Sequence, residues 1–182
     1  MKFTNTEIPG LIICEPSLIK DKRGFFTESF RHDLFEKFLG NTITFCQENL
    51  SNSNFGVLRG LHFQIPPHSQ SKLVTVLRGK ILDVVVDLRK ESRFFAKNLK
   101  IELDDVGCKQ LFIPKGFAHG FIVLSDSARV SYKVDNYYDK KSERGLNYND
   151  PKLNIDWKID KKSIIQNEKD KNYPPFDNNY FF

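Results

Sequence analysis

Residues 56–64 read GVLRGLHFQ, an apolar segment interrupted by an arginine, a glycine and a histidine. Val57, Leu58, Leu61 and Phe63 favour extended backbone, and Gly60 is where such a strand bulges or twists. Arg59 is an always-charged fork suited to pairs of phosphate oxygens. His62 has the side chain best matched to proton transfer at neutral pH. A surface strand with a bulge would tolerate all three, whereas the wall of an active site would use them. The chain has four histidines. His32 falls among charges and reads as surface, and His68 follows Pro66-Pro67 in a loop without an assigned role. His62 and His119, taken singly, are more readily structural than catalytic.

Two constellations can be tested against the spacing. Residues 114–119, PKGFAH, have the PxGxxH pattern of the second motif of cupin barrels. Metal-binding cupins join that histidine to an HxH pair and a glutamate on an earlier hairpin. No HxH occurs here, and His62 and His68 straddle two prolines, so the sequence predicts no metal centre. An anion site is the better match. Arg23 in DKRGFFTE, Arg59 in VLRGLHF and Lys72 at the head of a strand supply cations. Glycines after both arginines let the backbone approach or bulge. Arg78 reads as an ordinary turn arginine.

These residues must be held by something, and the chain order predicts mostly strands. LIICEP, GVLRGLHFQ, KLVTVL, KILDVVVDL, KNLKIEL, KQLFIP, GFIVL and ARVSYKV are short and evenly spaced, with RG at 78–79 closing a hairpin. That pattern predicts an antiparallel sandwich or barrel. One helix is expected over 31–39, with Leu34, Phe35, Phe38 and Leu39 on one side. The polar tail, 151–182, is expected to lay short helices and loops over the barrel and to fray at its end. Strand parity places Asp83 with Ile81 and Val85, where it faces solvent or lines a cavity. Tyr132 shares a face with Val130 and Val134 and points inward, while Lys133 points away.

The chain has 182 residues, 40% hydrophobic and 28% charged, with a net charge of +5. It is long enough for one domain with a real core. The mild positive balance suits an anionic ligand, and no basic run with interleaved aromatics marks a nucleic-acid footprint. MKFTNTEIPG has no apolar signal region and no segment reaches the length of a membrane span. Cys14, Cys46 and Cys108 are odd in number and scattered, as expected of free, partly buried thiols in a reducing cytoplasm.

Taken together, GVLRGLHFQIPPHSQSKLVTVLRGKILDVVVDLR, QLFIPKGFAHGFIVLSDSA, YKVDNYY and ERGLNYNDPKLNIDW resemble the dTDP-4-dehydrorhamnose 3,5-epimerase family. GLIICEP and DKRGFFTESF match it too, so the likeness runs from about Ile8 to Asp170. It implies a mostly β, cupin-type antiparallel barrel (jelly roll) forming one domain, 1–182. Residues 1–50 would contribute to a homodimer and 151–182 would cover the barrel. It implies a metal-free, cofactor-free isomerase of the cytoplasm, serving capsule or lipopolysaccharide sugar synthesis. Such an enzyme inverts C3 and C5 of a 4-keto-6-deoxy sugar on a nucleoside diphosphate, without nucleic acid or membrane as partner.

The resemblance also assigns residues. His62 resembles the base, with Asp170 of the EKD segment as the carboxylate holding its tautomer. Tyr132 resembles the acid that reprotonates the opposite face, and Lys72 the cation near the keto oxygen. His119 and Asp83 look like inner residues binding the sugar or tuning its pocket. Arg23 and Arg59 match positions holding the diphosphate. Phe26 and Glu28 lie in the segment that crosses to complete the neighbouring subunit's site. Gln47 and Asn49 match positions near nucleoside and phosphates, Tyr138 one that stacks on the base, and Glu143 and Lys169 further substrate contacts. Leu50 and Asn54 read as loop. The favoured substrate is dTDP-4-dehydro-6-deoxy-glucose. A GDP-linked 4-keto heptose, a single inversion, a metal-dependent cupin and a non-catalytic binding module stay open.

Overall fold

The computed structural model describes residues 1–177 and 182. Its strands are β1 (Lys2–Asn5), β2 (Ile12–Glu15), β3 (Ile19–Asp21) and β4 (Gly24–Phe26), followed by helix α1 (His32–Leu39). Strands β5 (Gln47–Asn54), β6 (Leu58–Gln64), β7 (Lys72–Arg78), β8 (Lys80–Asp87) and β9 (Asn98–Asp104) come next. The series ends with β10 (Gln110–Ile113), β11 (Phe117–Val123), β12 (Ser127–Val134), β13 (Glu143–Gly145) and the short helix α2 (Glu168–Lys171).

Two antiparallel sheets face each other. One has six strands in the order β1-β2-β10-β7-β12-β5, the other five in the order β13-β6-β11-β8-β9. Between them lies an apolar cluster that includes Val74, Val76, Leu111 and Val130 from the first sheet and Ile81, Val85, Phe117 and Phe121 from the second. Strand β8 is buried on both faces, because Leu82, Val84 and Val86 pack outward against Trp157, Leu153 and Phe176 of the tail. This explains its near-continuous run of Val and Leu. Helix α1 buries Phe35 against Phe112 and Leu73 on the outer side of the six-stranded sheet. Phe38 reaches the edge of that cluster and stacks on Phe3 with ring centroids 4.9 Å apart. The helix ends at Gly40, left-handed at φ 73°, whose N–H donates to the Glu36 carbonyl.

One expectation needs correcting. Leu50 and Asn54 are not in a loop but in β5, which pairs with β12 along its whole length. QENLSNSN lacks the apolar alternation of a half-buried strand, yet it alternates in exposure. Gln47, Asn49, Ser51 and Ser53 turn inward, and Glu48, Leu50, Asn52 and Asn54 turn outward. A polar edge strand whose inner face meets a cavity does not carry the usual signal. Strand β6 is irregular where it was expected to be. Opposite β11, His62 pairs with His119 and Arg59 with Phe121, so three steps on β6 match two on β11. Gly60 sits in that bulge at φ 128°, and the Gly60–Leu61 peptide is cis.

The tail is short helices and loops, as expected; the predicted fraying falls on 178–181, outside the described residues. No helix among the described residues is long and apolar enough to cross a membrane. The three cysteines are unpaired: Cys14 is buried, Cys108 half-buried and Cys46 exposed.

Candidate active site

The bulge at Gly60 resolves a conflict of parity. On a regular strand Arg59 and His62 would face opposite sides. Here both reach one cavity of about 310 Å³, whose wall also includes Asn49, Lys72, His119, Tyr132, Asn167 and Asp170. An adjoining cavity of about 250 Å³ shares Asn49, His62, Lys72 and Tyr132 and adds Gln47, Gln64, Gln70, Tyr138 and Glu143. Each is close to the size small-ligand sites occupy. Gly60 has no room for a side chain, because a Cβ there would lie 2.5 Å from Gly120 Cα and 2.9 Å from the His119 carbonyl oxygen.

His62 Nε2 lies 2.9 Å from Asp170 Oδ1, and Asp170 Oδ2 accepts the Gly60 N–H at 3.0 Å. Asn167 caps α2 by accepting the Asp170 N–H at 2.7 Å, which aims the carboxylate at β6. Burial pushes the Asp170 carboxyl up, but the hydrogen bond and charge of His62 and the Gly60 N–H hold it below the usual range. A carboxylate on Nε2 keeps the proton there and leaves Nδ1 as the basic nitrogen.

A second His–Asp pair lies deeper. His119 Nε2 is 3.0 and 2.9 Å from the two oxygens of Asp83, both residues being buried. Burial drives the His119 pKa down against the opposing charge of Asp83, with Lys72 and His62 adding to the fall. Asp83 therefore lines the interior and does not face solvent. Lys72 is buried beside it, and its Nζ is 3.5 Å from the His62 carbonyl oxygen. Burial lowers the Lys72 pKa to about 8, despite the attraction of Asp83 and Glu143. Tyr132 points inward and packs on the core. Its phenol pKa is raised, chiefly by burial, with Arg59 pulling the other way, so it stays protonated at neutral pH.

Polar groups cross the mouth. Glu143 Oε2 accepts from Tyr138 Oη at 2.7 Å and from Lys169 Nζ. Burial raises the Glu143 pKa, but these two bonds and the Lys169 charge hold it below its ordinary value. Gln47 Oε1 accepts the Tyr138 N–H at 3.1 Å, and Gln47 Nε2 donates to Asn49 Oδ1 at 2.8 Å. Arg59 Nε donates to Ser53 Oγ at 3.0 Å, leaving most of its fork for a ligand.

Three predicted positions lie elsewhere. Arg23 sits at the tip of the β3–β4 hairpin, clamped on Asp21; Phe26 is 64% exposed; Glu28 pairs with Arg31. Among the described residues of this chain, none of the three lines either cavity. His32 pairs with Glu36 on the surface, and His68 holds Ser142 in a loop. Among the described residues, no three His, Cys, Asp or Glu side chains gather as a metal-ligand set. Sequence reasoning missed Asn167, Gln64, Gln70 and Tyr173. An Asn directly before Glu-Lys-Asp is a legible helix cap, and that signal could have found Asn167.

Comparison with known proteins follows the same outline. A family model described as dTDP-4-dehydrorhamnose 3,5-epimerase matches residues 5–178. A dTDP-4-dehydrorhamnose 3,5-epimerase of Shigella flexneri is 45% identical over 182 residues, covering 100% of this chain and 99% of the relative. The crystal structure of such an epimerase from Elizabethkingia anophelis NUHP1 superposes with a TM-score of 0.93 at 46% identity, over 97% of this chain and 96% of that one. A Legionella pneumophila 3,5-epimerase structure, in complex with dTDP-4-keto-L-rhamnose, gives 0.91 at 44% identity, over 96% and 92%.

Proposed function

Since the chain belongs to the dTDP-4-dehydrorhamnose 3,5-epimerase family, and is thus an isomerase with a mostly β, cupin-like fold, we propose that it converts dTDP-4-dehydro-6-deoxy-glucose to dTDP-4-dehydro-L-rhamnose. The observation that carries the reading is the His62–Asp170 pair opening onto the same cavity as Tyr132 and Lys72. His62 Nδ1 removes the proton next to the C4 ketone, and Asp170 stabilises the imidazolium that forms. Lys72, charged below about pH 8, offsets the negative charge growing on the keto oxygen. Tyr132 returns a proton to the opposite face of the ring, and each cycle inverts one centre, C3 or C5.

The remaining residues bind. Arg59 takes the diphosphate; Gln47, Asn49, Tyr138, Glu143 and Lys169 hold the nucleotide end; His119 and Asp83 shape the sugar pocket. Arg23, Phe26 and Glu28 act in trans in a homodimer, where the β3–β4 hairpin completes the neighbour's site. Residues 1–182 work as one cytoplasmic cupin domain without metal or cofactor.

The test is solvent deuterium entry at C3 and C5 of dTDP-4-dehydro-6-deoxy-glucose in D2O, followed by NMR. Wild type exchanges both positions, whereas His62→Asn and Tyr132→Phe lose roughly 10²–10⁴-fold, the range for a positioned acid or base. Exchange at wild-type rate in both variants would overturn the assignment. Exchange at one carbon only would mark a single inversion, and exchange on a GDP-linked sugar alone would reassign the substrate.

A further inference from the structure

The tail meets the site at more than Asp170. We propose that Tyr173 is a positioning residue for the His62 base: its ring, seated on the bare backbone of Gly145, confines the imidazole against Asp170. This rests on the reading of His62 as the base. The rings of His62 and Tyr173 meet edge to face, with centroids 5.6 Å apart and planes at 70°. Gly145 is the residue on β13 that pairs with His62 across to β6. A Cβ built on Gly145 would lie 2.4, 2.4 and 2.5 Å from three carbons of the Tyr173 ring. Gly145 is not among the positive-φ glycines, so its backbone does not demand glycine. What demands it is the space the ring occupies.

The consequence follows from the imidazole's own freedom. Its bond to Asp170 fixes Nε2, but turning the ring about its last torsion would break that 2.9 Å contact and present the wrong nitrogen. The Tyr173 ring packs against that imidazole and so restrains the turn. The tail holds itself there by successive contacts: Lys169 on Glu143, Asp170 on Gly60 and His62, and Tyr173 on Gly145. Lys169 Nζ also lies 6.0 Å from the Tyr173 centroid. Tyr173 is thus the aromatic anchor of a polar clasp. Base catalysis is sensitive to displacements of about 1 Å, which cost up to about a hundredfold.

The test compares Tyr173→Ala, Tyr173→Phe and Gly145→Ala with wild type, on dTDP-4-dehydro-6-deoxy-glucose turnover and on the ¹⁵N signals of His62 in labelled protein. Tyr173→Ala and Gly145→Ala lower kcat about tenfold with KM within about twofold. Both turn the single Nε2–H pattern of the imidazole into an averaged one. Tyr173→Phe restores most of kcat and the single pattern. Gly145→Ala keeps the tyrosine and displaces only its ring, so it decides the matter if Tyr173→Ala fails to fold. Wild-type kcat and an unchanged imidazole pattern in the alanine variants would overturn the proposal, as would a phenylalanine variant as impaired as alanine. If wild type turns over no 4-keto nucleotide sugar, the substrate reading falls, while the imidazole spectra still judge the positioning role.

Discussion

Lys72 takes a positive charge into the interior, where burial lowers its pKa to about 8 from an ordinary 10.5. In the proposed mechanism, Lys72 is a cation for the keto oxygen below about 8, and above it the amine is neutral and the developing enolate loses its partner. Epimerisation therefore falls as pH rises through about 8. Lys72→Arg, charged throughout, removes that alkaline limb, and Lys72→Met is weak at every pH without it; kcat/KM from pH 6 to 10 measures both. Stability moves the opposite way. Between about 8 and 10.5 the unfolded chain binds the proton that the folded one does not, so stability rises with pH across that window. Asp170 has the same sign, in a lower pH window. Its folded-state pKa is depressed, so its contribution is present above the ordinary carboxylate value and lost as pH falls through the folded one. Asp170→Asn flattens the acid side of the stability profile, as denaturant unfolding at a series of pH values would register.

A single strand decides whether those residues meet. The bulge at Gly60 brings Arg59 and His62 to one cavity, and its tight fit against Gly120 leaves no space for a methyl group. Gly60→Ala must move β6 or β11 and adopt φ 128°, which costs about 2–3 kcal/mol and misaligns His62. The expected result is a lower thermal midpoint together with a loss of kcat. A loss of stability with full activity would mean the bulge is only packing. The bulge was legible because an Arg, a Gly and a His interrupt a strong apolar alternation. The β7–β8 hairpin was legible from its RG turn, and the inward Tyr132 from parity. Strand β5 was not, because QENLSNSN supplies polar groups to a cavity on one side and to water on the other, which leaves no apolar period to read. Nor was Tyr173. Its partner is Gly145 of β13, far away in the sequence, and no spacing along the chain encodes that contact.

At the scale of the molecule, the β3–β4 hairpin is the part the chain does not explain by itself. It pairs only within itself, all six of its strand residues are exposed, and Ile19, Phe25 and Phe26 are 65%, 52% and 64% accessible. Apolar residues ordered on an outlying hairpin are costly unless something covers them. A second copy of the chain meets that need if its cavity receives Arg23 and Phe26, an isologous exchange that builds two equal sites. Complementation tests this directly. Arg23→Ala/Phe26→Ala protein keeps an intact cavity but a defective hairpin; His62→Asn protein keeps the hairpin but a defective cavity. Each homodimer is nearly inactive. After subunit exchange, half the dimers are mixed, and in each the hairpin of the His62→Asn chain completes the intact cavity of its partner. About a quarter of all sites then regain wild-type chemistry, and deuterium exchange rises to about that fraction of the wild-type rate. If every site were built within one chain, mixing would leave the rate at the average of the two variants.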